Sequence, residues 1–79
     1  MRRISISTPK SLDALGRVIA ITRRARVQLV DMVVVSEDSL YRVHMKVEGP
    51  HDEVQWLVSK LDKLPEVLRI DEGDIDINY

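Results

Sequence analysis

The sequence predicts an α+β, ferredoxin-like βαββαβ sandwich, in which a four-stranded antiparallel sheet carries two helices on one face. Segments with period 2 and period 3.6 follow one another in that order. Their connections are short and each crossover is expected to be right-handed, giving the spatial strand order 4-1-3-2. The chain has 79 residues, 44% hydrophobic and 32% charged, enough for one small domain and no second.

Arg3 to Ser7 alternates polar with apolar and reads as a half-buried strand. Thr8, Pro9 and Lys10 break it. Ser11 is the expected N-cap of a helix over about residues 11–24. Asp13 stands in its first turn, where negative charge suits the dipole. Leu12, Leu15, Val18, Ile19 and Thr22 form its apolar face, and Arg23, Arg24 and Arg26 suit its C-terminal end. The run RVQLVDMVVVSED, residues 26–38, follows as a second strand. A bulge near Val30 and Asp31 lets Leu29, Met32 and Val34 share the inner face with Asp31 outward, which leaves Val30, Val33 and Val35 on the other side.

Ser36 to Ser39 are expected to turn. Tyr41, Val43, Met45 and Val47 then alternate with Arg42, His44, Lys46 and Glu48 in an antiparallel strand with one wet face. Gly49 and Pro50 end it. Val54, Leu57, Val58, Leu61 and Leu64 mark a second helix stopped by Pro65, and Val67 to Ile70 make the last strand. Residues 1–72 thus form one domain, and 73–79 a tail whose Ile75, Ile77 and Tyr79 suit a short extra strand or a frayed acidic end.

In the order 4-1-3-2 the second strand lies at an edge. Leu29 to Val35 has neither the Lys, the Pro nor the brevity that protects such an edge. A domain of this size buries only about 60–65% of its unfolded surface and gains from association. With no Cys, disulfides and thiolate metal sites are excluded. A two-fold homodimer is therefore expected, joined along Val27, Leu29, Val30, Asp31, Met32, Val33 and Val35.

Other functions fit poorly. The N-terminus MRRISISTPKS lacks the apolar core of a signal peptide and no run approaches a membrane span, so a cytoplasmic location is expected. Residues 1–47 hold nine Lys and Arg against four acids, whereas 48–79 hold three against nine, a polarity better suited to acidic-partner or head-to-tail contacts than to nucleic acid. An RNA-recognition sheet has this strand order but stacks bases on aromatics, and here Phe is absent. His44 and His51, the only histidines, read as solvated groups without the partners of a catalytic or metal site. No phosphate-binding glycine loop is present. The expectation is a binding or regulatory module with no catalytic residues, metal or cofactor of its own.

LDALGRVIAITRRARVQLVDMVVVSED and VQWLVSKLDKLPEVLRIDE resemble the ACT domain, and within it the small regulatory subunit of acetolactate (acetohydroxyacid) synthase, over about residues 4–72. Ala14, Leu15, Arg17 and Val18, and Lys60, Leu61, Lys63, Leu64, Val67, Leu68 and Arg69, carry the likeness. The resemblance implies a dimer through the second strand and first helix, docked on a thiamine-diphosphate catalytic subunit of branched-chain amino acid biosynthesis, with a branched-chain amino acid as effector. It places the effector between Lys10, Ser11, Leu12, Asp13 and Ala14 of one copy and Gln28 of the other. Relatives that bind valine have Gly where Asp13 stands and Asn where Gln28 stands, so weak or absent valine feedback is expected. A freestanding ACT-domain sensor, serving another enzyme, is the alternative.

Overall fold

The computed structural model describes residues 1–74. Six elements follow in order: β1 (Arg2–Pro9), α1 (Leu12–Arg24), β2 (Gln28–Glu37), β3 (Leu40–Glu48), α2 (His51–Asp62) and β4 (Arg69–Asp74). The sheet runs β2-β3-β1-β4 with antiparallel neighbours throughout. This is the ferredoxin-like sandwich that the sequence predicts. Among the described residues no helix is long and apolar enough to cross a membrane.

Strand alternation sets which side chains meet the helices. Ile4 and Ile6 of β1 and Val43, Met45 and Val47 of β3 point inward against Val18 of α1 and Val54, Leu57 and Leu61 of α2; none is more than 2% exposed. Each such side chain contributes about 1.5–3 kcal/mol on burial. The core is therefore concentrated under the two central strands.

Local chemistry fixes the helix ends. The Ser11 hydroxyl accepts from the Ala14 backbone N–H at 3.3 Å and opens α1, as expected of an N-cap. At the other end the Ala25 N–H donates to the Thr22 carbonyl at 3.2 Å, and buried Thr22 Oγ1 donates to the Val18 carbonyl at 2.8 Å. The Arg26 N–H then donates to Glu53 Oε1 at 3.1 Å, tying the loop after α1 to the first turn of α2. Gly49 lies against this loop. A Cβ there would stand 2.9 Å from Val27 Cγ1 and 3.2 Å from the Arg26 carbonyl oxygen.

Five expectations change. The apolar face of α1 divides, because Val18 and Thr22 are buried with Ala14 while Leu12 and Ile19 are exposed. The core takes only one arc of the helix. The turn after β2 narrows to Asp38 and Ser39, since Ser36 and Glu37 still pair with Tyr41 and Leu40. β4 begins at Arg69 rather than Val67; Leu68 makes a lead-in bond from its N–H to the Ser7 carbonyl at 2.8 Å. Gly73 and Asp74 prolong β4 opposite Arg3 and Arg2, and the rest of the expected tail strand lies outside the described residues. His44 is half-buried, its Nδ1 3.0 Å from Ser5 Oγ, because it stands on the middle of the sheet's open face.

Gly49→Ala is expected to lower stability by about 1–3 kcal/mol through overpacking against the Arg26–Val27 backbone. A urea midpoint unchanged within error would contradict that reading of the contact.

Candidate interaction edge and groove

β2 is an edge strand whose only hydrogen-bonded neighbour among the described residues is β3. Leu29, Met32 and Val34 stand opposite Val47, Met45 and Val43, on the face toward the helices. Asp31, Val33 and Val35 stand opposite Lys46, His44 and Arg42, on the open face. The register shifts between Leu29 and Asp31, so Val30 is the extra residue of a bulge, at the expected place. The shift reconciles an apolar inner row with an outward Asp31, whose carboxylate lies 3.9 Å from Lys46 Nζ. At such exposure this ion pair fixes a side chain more than it stabilises a fold.

Met32 alone in β2 is half-buried. Leu29, Val30, Val33, Val34 and Val35 are each 39–46% exposed, on both faces of one ribbon. Beside the inner face runs a groove of about 240 Å³, lined by Ile19, Thr22 and Arg23 of α1, by Ala25 and Val27 of the following loop, and by Leu29 and Met32. It exists because α1 stops short of covering β2. The periodicity of α1 showed that Ile19 was apolar-facing; it could not show that this arc overlooks an edge and not the core.

The residues that the resemblance assigns to a ligand fall in two places. Ser11 caps α1, Ala14 is buried beneath it, and Leu12 and Asp13 are exposed in its first turn. Lys10 Nζ donates to the Asp38 carbonyl at 2.8 Å, joining this loop to the tip of the β2–β3 hairpin. Asp38 stands at φ 27°, a left-handed conformation that Asp tolerates better than most residues. Gln28 is at the opposite end of the sheet. It pairs with Glu48, whereas Pro9, just before the loop, pairs with Leu40. Eight residue steps of β3 separate the two ends, roughly 27 Å. One chain does not bring Gln28 to Lys10, Ser11, Leu12, Asp13 and Ala14.

The Ser5–His44 pair is the nearest approach to a nucleophile and base. A working pair needs an acid orienting the base. Across the sheet His44 faces Ser5 and Val33, and its same-face neighbours along β3 are Arg42 and Lys46. Among the described residues no cluster of three or more His, Cys, Asp or Glu is placed to hold a metal.

A family model described as ACT domain matches residues 10–70. The fold is similar to that of the ACT domain from GTP pyrophosphokinase of Chlorobium tepidum, at 14% identity and a TM-score of 0.79, covering 91% of this chain and 95% of that one. It is also similar to the C-terminal domain of the MgtC protein from Mycobacterium tuberculosis (12% identity, TM-score 0.77, 99% and 89% covered). A third similar structure is formyltetrahydrofolate deformylase from Burkholderia mallei (18% identity, TM-score 0.70), of which the matched part is 28% while 99% of this chain is covered. No curated protein matches the sequence.

Ser11→Ala removes the cap of α1 and is expected to cost about 1 kcal/mol. Loss of helical circular dichroism at a lower temperature than wild type would register it, and an unchanged melting curve would show the cap to be dispensable.

Proposed function

The chain belongs to the ACT domain family, and on that premise we propose that it is a cytoplasmic, non-catalytic regulatory subunit that pairs along β2 and activates acetolactate synthase, with weak or absent valine feedback. The observation that carries the pairing is the exposed ribbon of β2. The likeness of residues 4–72 to the synthase small subunit supports the choice of enzyme.

Strand physics restricts how two copies can meet. Residues directly opposed in an antiparallel pair point to the same face, so a two-fold between two β2 strands must pass through a residue and not between residues. Centring it on Met32 or Val33 matches inner row with inner row. With Val30 bulged out of the count, it also brings Gln28 of the partner subunit opposite Val35 or Glu37, the latter next to Asp38, the residue that Lys10 holds. Pairing thus unites the two halves of the ligand site that one chain keeps apart.

Magnitudes show what the pairing needs. Five aliphatic side chains on each of two copies, each a little under half exposed, recover together about 7–14 kcal/mol when covered. Association costs on the order of 4–15 kcal/mol. The ribbon brings the balance near zero, so backbone bonds along the edge and a contact from α1 decide it.

Asp13 explains the weak effector response. Its carboxylate stands exposed in the first turn of α1, where a bound amino acid would place its own carboxylate. Like charges there oppose binding. A second reading, a sensor serving a different enzyme, draws support from the fold's likeness to the ACT domain of GTP pyrophosphokinase. Co-purification with a thiamine-diphosphate protein favours the first reading, and its failure favours the second.

Sedimentation equilibrium at micromolar concentration is expected to give a dimer, and Val33→Lys a folded monomer. Mixed with an acetolactate synthase catalytic subunit, the wild type should raise its rate and valine should leave that rate unchanged. A wild-type monomer, or no enhancement with any such subunit, would refute the proposal. In calorimetry wild type should give no heat with valine, and Asp13→Gly combined with Gln28→Asn should create a measurable site; heat from wild type would overturn the charge argument.

A further inference from the structure

The open face of the sheet has a charge pattern that neither the core nor the paired edge uses. On it β1 shows Arg3, Ser5 and Ser7, with Arg42, His44 and Lys46 of β3 on one side and Arg69 and Asp71 of β4 on the other. Across the ladder Arg42 and Arg69 flank Ser7, while Lys46 and Gly73 flank Arg3. Two cationic rows thus stand four residues of β1 apart, roughly 13 Å, and between them β1 offers only small hydroxyl side chains. The middle of the face is a shallow trough. Gly73 keeps one end of it clear for Arg3, whose Nη2 lies 3.5 Å from where a Cβ on that glycine would be.

Resting on the regulatory reading above, we infer that this trough is where the catalytic subunit docks, and that its occupant is an acidic amphipathic helix of that partner. Two turns of α-helix rise roughly 11 Å, so carboxylates two turns apart on one helical face reach both cationic rows. A helix roughly 10 Å across also fits the roughly 10 Å between β3 and β4. Val33 and Val35, exposed beside His44 and Arg42, give its apolar side chains a flank to rest on.

Charge selects this occupant over nucleic acid. Arg42 Nε lies 3.0 Å from a Glu37 oxygen and Arg69 Nε 3.5 Å from an Asp71 oxygen, yet the two side chains remain 46% and 73% exposed. A guanidinium has donors on both edges, so each has room for a second carboxylate. A continuous phosphate chain would instead run against Asp31, Glu37 and Asp71. The one ring on this face among the described residues is His44, which gives bases no stacking platform. A two-fold perpendicular to the sheet at β2 leaves the trough open on both copies, facing the same way.

Activation of an acetolactate synthase catalytic subunit by the full chain tests this. Arg42→Gln combined with Arg69→Gln removes only exposed ion pairs and should melt and sediment like wild type. It is expected to need a roughly tenfold or higher concentration for half-maximal activation. Arg42→Lys with Arg69→Lys should recover part of that loss, and Lys60→Gln with Lys63→Gln, on and just after α2, should change nothing. Wild-type activation should also weaken as salt rises. The chain is free of cysteine, so a benzophenone maleimide on Asp71→Cys, at the wall of the trough, should photocrosslink to an acidic helical peptide of the catalytic subunit, and one on Ser59→Cys should not. If wild type activates but the glutamine pair needs no higher concentration, or the Asp71→Cys label finds no acidic helix, the docking face is refuted and the regulatory reading stands. A uridine oligonucleotide that binds wild type and displaces the catalytic subunit would overturn the choice of occupant. If wild type activates no such subunit, the regulatory reading falls and this one with it.

Discussion

The exposure of β2 on its outer edge is the constraint from which the rest follows. Four strands ordered β2-β3-β1-β4 give every strand but the two outermost a pair of neighbours. β4, the other edge, is short and rich in charge, with Asp71, Glu72 and Asp74 among its six residues. β2 has ten residues, and its middle is aliphatic on both faces. The two edges are therefore unlike: one is blunted by charge, and the other keeps backbone donors and acceptors beside apolar side chains. β2 is thus the edge left open to pairing.

The core and the uncovered surface are two arcs of one helix. Val18 and Thr22 look down onto Met45 and its neighbours, while Ile19 lines the groove beside β2 and Leu12 is exposed. α2 shows what a helix with a single duty looks like, since Val54, Leu57 and Leu61 are buried and Val58 and Leu64 pack against them. The apolar arc of α1 is wider than its own core requires.

Much of this was readable from the residues. Alternation in β1 and β3, the Ser11 cap, the bulge at Val30 and the strand order all follow from local spacing and connection rules, because each depends on near neighbours or on chain direction. What escaped depends on three-dimensional placement. Leu12 and Ile19 carry the same period as Val18, and no sequence rule states which arc turns toward the sheet. Val67 and Leu68 have strand-like side chains but only lead into β4, whereas Gly73 and Asp74 look like a tail yet pair through their backbone with β1. A ladder asks nothing of side-chain polarity at a wet edge. The two halves of the ligand site were given by resemblance, and one chain holds them at opposite ends.

The bulge at Val30 bears on what an open aliphatic edge can do. A flat aliphatic strand is a template on which further copies can stack without limit, as in a fibril. The extra residue twists and bends the ribbon near its start, and a curved edge is a poorer template for such stacking than a flat one.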